Sequence, residues 1–147
     1  MSATLQAQSQ HYFGPPFDDA RVHDAMRVGV VTCRPQTSLR DVARIMVGYQ
    51  IHSVLVGDLG SGQEPWGIVT DLDVARAAAC DISEIAAGDV ASHHLISVPA
   101  SESVAAAAKL MAERSCTHLL AVQPDTGQPV GVISALGLAS VVAADRS

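Results

Sequence analysis

The sequence predicts an α+β fold, α/β-like in the way its elements alternate, with two β-α-β-β-α repeats packed by pseudo-twofold symmetry. Three observations lead to this prediction. The same pattern of residues occurs twice between positions 22 and 144, displaced by 65 positions. Extended apolar runs alternate with helically spaced apolar residues inside each copy. Hydrophobic residues make up 48% of the 147 residues, which is enough for a substantial core and excludes wholesale disorder.

Chemically similar residues coincide when the two copies are aligned. The displacement of 65 pairs Val31-Thr32-Cys33 with Ile96-Ser97-Val98, Asp24 with Asp89 and Met46 with Met111. One residue is lost in a later loop, after which the aligned pairs are Gly67 with Gly131, Thr70 with Ser134, and Leu72 with Leu136. We therefore divide the chain into an N-terminal arm at 1–21, a first repeat at 22–80 and a second repeat at 81–147.

Each repeat opens with an apolar extended run followed by a helix. The predicted first strands are Gly29–Cys33 and Leu95–Val98, and Pro35 and Pro99 end them because proline disfavours continued pairing. Apolar residues at helical spacing then follow, namely Leu39, Val42, Met46 and Tyr49 in the first copy and Val104, Ala107 and Met111 in the second. Thr37 or Ser38 is expected to cap the first helix, and Ser101 or Ser103 the second.

A hairpin and a closing helix complete each repeat. The predicted hairpin strands are Ser53–Val56 with Trp66–Thr70, and His118–Val122 with Val130–Ser134. The loops between them are rich in Gly, Asp and Pro, as turns require. Ala-rich helices at Asp71–Ala79 and Ala135–Ala144 close the units. A unit of this size leaves one sheet face open, so we expect the two copies to pack together.

The arm at 1–21 contains Tyr12, Phe13 and Phe17 beside Pro15-Pro16. Two interpretations stay open. The arm is either a tail without fixed structure or a segment packed across a neighbouring subunit, since exposed aromatic clusters usually mark contacts.

Composition excludes several classes of function. Nine basic residues stand against fifteen acidic ones, a net charge of −6, which argues against nucleic-acid binding and against docking on anionic membranes. The N-terminus lacks the features of a signal peptide, and no run of about 18 apolar residues predicts a membrane span. Cys33, Cys80 and Cys116 form no C-x-x-C pair, so we expect free thiols in a cytoplasmic protein.

No metal site and no catalytic constellation is expected. His93-His94 has no third ligand nearby in the sequence, and adjacent residues point in different directions. The chain contains no G-x-S-x-G elbow and no nucleophile at an interpretable spacing from a base. We therefore predict that the protein is not an enzyme.

The repeat resembles a known family. Gly67-Ile68-Val69-Thr70-Asp71-Leu72-Asp73 is similar to the closing motif of a CBS domain, the module named after cystathionine β-synthase. Val22–Met26 resembles the opening segment of that domain, and Ile51–Val56 resembles its second strand. Cys116–Val122 and Gly131–Ser134 repeat the pattern. The resemblance covers residues 22–144 and identifies the chain as a stand-alone pair of CBS domains.

The resemblance implies a regulatory module that needs no cofactor. Such pairs bind adenosine-containing ligands in clefts between the repeats and commonly form disc-like homodimers. AMP, ADP or ATP is the expected ligand, with a conformational signal passed to a regulated partner that the sequence does not name. Few basic residues are present, which favours AMP or ADP over ATP. S-adenosylmethionine remains an alternative ligand, and a module without ligand that serves protein interaction or dimerisation remains an alternative function.

Thr70 and Asp73 carry the site prediction. Thr70 ends a strand, and Asp73 falls in the first turn of the next helix, where its carboxylate can accept two hydrogen bonds from a cis-diol. The Thr70 hydroxyl and the N–H groups of the helix start can hold a phosphate. The other interpretation is that Thr70 and Asp71 merely cap the helix and that Asp73 favours its dipole.

The resemblance adds the remaining site residues. It implies that His52 faces phosphate and that the exit of the first strand lines the adenine. The predicted first site comprises Thr32, Cys33, Arg34, Pro35, His52, Ser53, Val54, Thr70, Asp71 and Asp73. In the second repeat, Gly137 replaces the carboxylate and Thr117 replaces the histidine. We therefore expect one ligand per chain and a weaker second site at Ser97, Pro99, His118 and Ser134.

Overall fold

The computed structural model describes residues 12–58 and 64–145. These residues form two compact units. The repeat-1 unit is Val30–Leu95, and the repeat-2 unit combines the residues up to Gly29 with those from Ile96 onward. The units are offset from the sequence repeats because the segment that opens each repeat packs within the other unit.

Six helices and seven strands follow one another along the described residues. In chain order they are α1 (Val22–Ala25), β1 (Arg27–Val28), β2 (Thr32–Cys33), α2 (Leu39–Tyr49), β3 (Ser53–Val56), β4 (Gly67–Thr70), α3 (Asp71–Ala78), α4 (Ala87–Val90), β5 (Ser97–Pro99), α5 (Val104–Arg114), β6 (His118–Val122), β7 (Pro129–Ser134) and α6 (Ala135–Ala144). The mixed α/β fold class and the two repeats are as predicted.

The repeat-1 unit contains a three-stranded sheet in the order β2-β3-β4. Strand β2 runs parallel to β3, because α2 connects them as a crossover helix, and β3 runs antiparallel to β4. Ser53 therefore lies opposite Thr70, at the edge where β3 begins and β4 ends. Outside β4, Ser92 forms a bridge with Ile68, so the segment after α4 extends this sheet.

The repeat-2 unit has the same layout, with a four-stranded sheet in the order β1-β7-β6-β5. His118 lies opposite Ser134, in the register that Ser53 and Thr70 have in the other unit. Strand β1 takes the edge position, with Arg27 opposite Val132. Strand β1 and helices α1 and α4 were not predicted from the sequence, and the first strands β2 and β5 are shorter than predicted.

Each unit has its own hydrophobic core. In the repeat-1 unit, Leu39, Val42 and Met46 of α2 are buried against β3 and β4. In the repeat-2 unit, Val104, Ala107 and Met111 of α5 are buried in the same way. The prediction that Tyr49 belongs to the buried stripe is wrong. Its side chain is 64% exposed, because α2 ends there and Gln50 turns into the left-handed region with φ of 56°.

Serine caps the two long helices, as the sequence predicted. The Ser38 hydroxyl accepts a hydrogen bond from the Asp41 N–H at 3.1 Å. The Ser103 hydroxyl accepts one from the Ala106 N–H at 3.0 Å. The same device begins α2 and α5 because the two repeats share one backbone plan.

The described part of the N-terminal arm packs on its own chain. Tyr12 and Phe17 contact a small core formed by Ala20, Val104 and Val141, whereas Phe13 is 89% exposed. Residues 12–20 are therefore not a tail without fixed structure, packing across a neighbouring subunit stays a prediction, and residues 1–11 lie outside the described part. No helix within residues 12–58 and 64–145 has the length and apolar character needed to cross a membrane.

Candidate functional site

One corner of the repeat-1 sheet gathers half of the predicted site residues. Ser53 and Thr70 are cross-strand neighbours, and the Asp71 N–H donates a hydrogen bond to the His52 carbonyl oxygen at 3.0 Å. Asp73 follows in the first turn of α3. We call His52, Ser53, Thr70, Asp71 and Asp73 the repeat-1 corner.

Asp73 completes the start of α3. Its Oδ2 accepts hydrogen bonds from the Thr70 N–H at 2.8 Å and from the Thr70 hydroxyl at 3.1 Å. Thr70 and Asp73 therefore form the helix cap, whereas the capping interpretation from the sequence assigned it to Thr70 and Asp71. Both bonds end on Oδ2, and no donor among the described residues bonds to Oδ1. The half-buried carboxylate thus keeps one oxygen for a further donor.

His52 and Asp71 form a hydrogen-bonded pair at the surface of the corner. The His52 Nδ1 lies 3.0 Å from the Asp71 Oδ2, and both side chains are about 60% exposed. The pair links the residue before β3 to the first residue of α3. Asp71 is thus the partner of His52 inside the protein.

The structure does not bring Thr32, Cys33, Arg34 and Pro35 to this corner. Because β2 is parallel to β3, Thr32 lies beside Leu55 and Cys33 beside Val56. Cys33 is three residues along β3 from Ser53, which is ~10 Å at the usual rise per residue. Arg34 and Pro35 come after the strand has ended.

Cys33 and Val54 serve the core of the repeat-1 unit. Both are buried, with Val54 fully enclosed. Burial raises the pKa of the Cys33 thiol, although a hydrogen bond with Thr37 acts in the opposite direction. The thiol therefore stays protonated at neutral pH and is a poor nucleophile.

Val31 was predicted to lie in the first strand but was not among the predicted site residues. Its carbonyl oxygen accepts a hydrogen bond from the Leu55 N–H at 2.9 Å, so Val31 precedes β2 on the side nearest the start of β3. The β-α-β connection already required parallel strands. The start of the first strand therefore had to lie nearest the repeat-1 corner, and its exit had to lie farthest away.

The equivalent corner of the repeat-2 unit has the same backbone and different chemistry. The Ala135 N–H donates to the Thr117 carbonyl oxygen at 2.7 Å, and the Ser134 hydroxyl accepts from the Gly137 N–H at 2.9 Å. The His118 Nδ1 lies 3.0 Å from the Thr117 hydroxyl. Ser97 and Pro99 are exposed and lie at the far end of β6, beside Leu120 and Val122. Among the predicted second-site residues, the structure brings together His118 and Ser134 only.

Gly137 is glycine for a steric reason. A β-carbon at this position would lie 3.0 Å from the Ala25 carbonyl oxygen and 3.4 Å from the Ser134 hydroxyl. Helix α1 therefore approaches the first turn of α6 at the place where the repeat-1 unit carries the Asp73 side chain. This close approach explains the missing carboxylate.

His93 has a partner within the repeat-1 unit. Its ring stacks on the indole of Trp66, with centroids 4.7 Å apart and planes 21° from parallel. The described residues contain no group of three or more His, Cys, Asp or Glu side chains arranged to hold a metal ion.

Solved structures share this fold. The chain matches the CBS domain pair of protein MJ0100 in complex with 5′-methylthioadenosine and S-adenosyl-L-methionine, with a TM-score of 0.73, 19% identity, and 84% of this chain and 96% of that chain covered. It also matches a CBS domain protein from Pyrobaculum aerophilum complexed with AMP, with a TM-score of 0.69, 22% identity, and coverage of 80% and 88%. A putative signal-transduction protein with CBS domains from Burkholderia ambifaria has a TM-score of 0.68, 26% identity, and coverage of 81% and 86%.

One curated protein is similar in sequence. A homoserine O-acetyltransferase from Methanocorpusculum labreanum is 28% identical over 128 residues, or 87% of this chain. The chain spans only 25% of that protein's length. The CBS domain family model matches residues 22–80 and again residues 87–144, which together are most of the chain. The chain therefore belongs to the CBS domain family and carries two of these domains in tandem.

Proposed function

We propose that the protein is a regulatory module that binds an adenosine-containing ligand at the repeat-1 corner. The observation that carries the proposal is the geometry of Asp73, whose Oδ2 is bound to Thr70 while no described residue bonds to Oδ1. The structures of similar pairs support the ligand class, because one was solved with AMP and another with 5′-methylthioadenosine and S-adenosylmethionine.

The ribose is the part of the ligand that this corner suits best. A carboxylate oxygen accepts hydrogen bonds from the 2′- and 3′-hydroxyls, and a charge-assisted bond is worth about 1.5–3 kcal/mol. Ser53 lies opposite Thr70 and is half-buried, so it offers a second hydroxyl beside the diol. Ligand binding would then link the end of β4 to the start of α3, and a partner protein would respond to that change.

We place the protein among regulators and not among enzymes. The buried Cys33 has a raised pKa, and the carboxylates of the repeat-1 corner are engaged with Thr70 and His52. The similarity to an acetyltransferase covers only a quarter of that enzyme, so its activity is not carried over. We also propose a cytoplasmic location, which suits three free cysteines.

A second candidate function is dimerisation of the module. The closing helices expose apolar side chains, with Leu72 at 53%, Leu136 at 51% and Val142 at 54%. Leu72 and Leu136 occupy equivalent positions in α3 and α6. Small and apolar helix faces suit a symmetric interface between two copies, and we propose a homodimer.

The test is calorimetric binding of adenosine compounds to the whole chain. The panel contains AMP, ADP, ATP, 5′-methylthioadenosine and S-adenosylmethionine, with 2′-deoxyadenosine and adenosine as a matched pair. We expect at least one adenosine compound to bind and 2′-deoxyadenosine to bind at least tenfold more weakly than adenosine. Absence of binding by all of them, or equal binding of the matched pair, would contradict the proposal.

A further inference from the structure

We propose that Asp71 sets the ligand preference of the repeat-1 corner, favouring adenosine compounds with a thioether or sulfonium at C5′ over those with a phosphate. This inference rests on the proposed function and specifies the ligand class. It also reverses the expectation, drawn from the scarcity of basic residues, that AMP or ADP is favoured.

Charge disfavours a phosphate at the repeat-1 corner. A ribose held by Asp73 places its C5′ substituent near the start of α3, where the carboxylates of Asp71 and Asp73 already lie. A helix start attracts one negative charge, and these two carboxylates already fill that role. A phosphate there faces two anions at short range, whereas a neutral thioether feels no repulsion and a sulfonium is attracted.

Hydrogen-bond donors of the repeat-1 corner already have acceptors within the protein. The Asp71 N–H already donates to the His52 carbonyl oxygen at 3.0 Å. The Thr70 N–H and hydroxyl already donate to Asp73. The His52 Nδ1 is held by Asp71 at 3.0 Å. A phosphate would have to break these bonds, whereas a thioether needs no donor.

Helix α3 carries one basic residue, Arg76, that could compensate the negative charge of a phosphate. Arg76 follows Asp73 by three residues on α3 and is exposed. One arginine at this position does not balance two carboxylates and the negative charge of a phosphate. If Arg76 nevertheless binds phosphate, its removal will weaken AMP binding specifically, and this difference can be measured.

The second repeat supplies a control that the fold already tolerates. Ala135 stands where Asp71 does, and the residues before them have nearly the same backbone, with φ and ψ of −107° and 169° at Thr70 and −103° and 163° at Ser134. Asp71→Ala therefore places in α3 a residue that the same turn accepts in α6. Asp71→Asn keeps the size of the side chain and removes only its charge.

The experiment compares 5′-methylthioadenosine with AMP by calorimetry on the wild type, D71A, D71N and R76Q, at low and high salt. For the wild type, we expect 5′-methylthioadenosine to bind at least tenfold more tightly, and added salt to strengthen AMP binding because it screens the repulsion. In D71A and D71N, AMP should gain roughly three- to tenfold while 5′-methylthioadenosine changes less than twofold.

The outcomes separate the two proposals. Tighter binding of AMP by the wild type, an unchanged preference in both Asp71 variants, or a loss of AMP binding in R76Q of tenfold or more would overturn the role of Asp71 while the adenosine site stands. Failure of both compounds to bind would overturn the proposed function and this inference together.

Discussion

Asp73 caps α3 with one carboxylate oxygen, and we propose that it binds the ligand with the other. Oδ2 bonds to the backbone and side chain of Thr70, which fixes the first turn of α3. No described residue bonds to Oδ1, which keeps the remaining acceptor capacity of the carboxylate. A residue that caps a helix and binds a ligand couples the two events, because ligand binding then depends on an intact helix start.

Replacing Asp73 should therefore affect both stability and binding. We expect Asp73→Ala to lower the free energy of unfolding by about 0.5–2 kcal/mol through loss of the cap, and to remove detectable binding of adenosine compounds. Chemical denaturation and calorimetry measure the two effects.

Asp89→Ala is the matched control. Asp89 accepts a hydrogen bond from the Ala86 N–H at 2.9 Å and caps α4 of the same unit, outside the repeat-1 corner. The Asp89→Ala variant should lose a similar amount of unfolding free energy and keep its affinity for the ligand. If Asp89→Ala loses binding as Asp73→Ala does, Asp73 acts through folding and not through contact.

Gly137 decides whether the second repeat can gain a carboxylate. Placing an acid in the first turn of α6 suits the helix dipole, so the sequence alone predicts that Gly137→Asp costs no stability. The structure points the other way, because the new β-carbon would lie 3.0 Å from the Ala25 carbonyl oxygen. We expect a loss of about 0.5–1.5 kcal/mol and no more than weak gained binding.

Gly48→Ala is the comparison for Gly137→Asp. An added β-carbon at Gly48 of α2 meets no atom within 4 Å, so the change should stabilise the chain by about 0.5–1 kcal/mol. Urea denaturation of both variants checks the pair. A Gly137→Asp protein as stable as the wild type would show that α1 moves aside at no cost.

At the scale of elements, the sequence predicted best where a side-chain period had room to repeat. The bounds of β3, β6 and α6 agree with the predicted ones, and Ser38 and Ser103 cap their helices as expected. Strand β1 and helices α1 and α4, of two to four residues each, are too short to show a period and were missed, whereas the four-residue strand β3 was marked by the turn-rich loop that follows it. The positions of the three missed elements depend on tertiary contacts within the two units.

The predicted site residues differ in how the fold brings them together. Thr70 and Asp73 are three residues apart in sequence and meet through a local helix cap, which a motif encodes. Thr32 and Ser53 are related only through strand direction, and the parallel pairing places Thr32 beside Leu55 instead. Local chemistry could be predicted from the sequence, whereas placement across the sheet required the topology.

The first position of the closing motif is glycine in both repeats because the neighbouring backbone comes close to it. A β-carbon at Gly131 would lie 2.5 Å from the Arg27 carbonyl oxygen, because β1 runs directly against β7. A β-carbon at Gly67 would lie 3.1 Å from the Ser92 carbonyl oxygen, a less severe contact. The same motif position therefore tolerates a side chain to different degrees in the two units.

We expect Gly131→Ala to cost about 1–3 kcal/mol of stability and Gly67→Ala clearly less. Amide hydrogen exchange at Gly29, whose N–H donates to the Val130 carbonyl oxygen at 2.8 Å, should accelerate in the Gly131 variant because β1 is pushed from the sheet. Equal stability losses in the two variants would mean that backbone approach does not determine the choice of glycine.

At the scale of the whole molecule, the exposed apolar residues of the closing helices favour association of two copies. We expect light scattering at micromolar concentration to give twice the chain mass of 15.3 kDa.

Leu72→Glu combined with Leu136→Glu should shift the protein towards monomer, because burying a charge at an apolar interface is costly. Val28→Glu is the control, since Val28 is 82% exposed on strand β1 and not on a closing helix. A monomeric wild type, or a shift caused equally by Val28→Glu, would reject this interface.

The two units share a backbone plan and differ in the chemistry that each corner offers. Asp73, Asp71 and His52 have as counterparts Gly137, Ala135 and Thr117. The repeat-2 corner therefore lacks both the carboxylate for a ribose and the hydrogen-bonded His–Asp pair beside it. We expect calorimetric titration with a binding adenosine compound to saturate at one ligand per chain, and Ser134→Ala to leave this affinity unchanged within twofold. Thr70→Ala should weaken binding at least tenfold, because it removes the hydroxyl that donates to Asp73 and leaves only the backbone N–H to position the carboxylate. Two equivalent sites per chain, or equal losses from Ser134→Ala and Thr70→Ala, would show that the carboxylate at position 73 is not what distinguishes the two repeats.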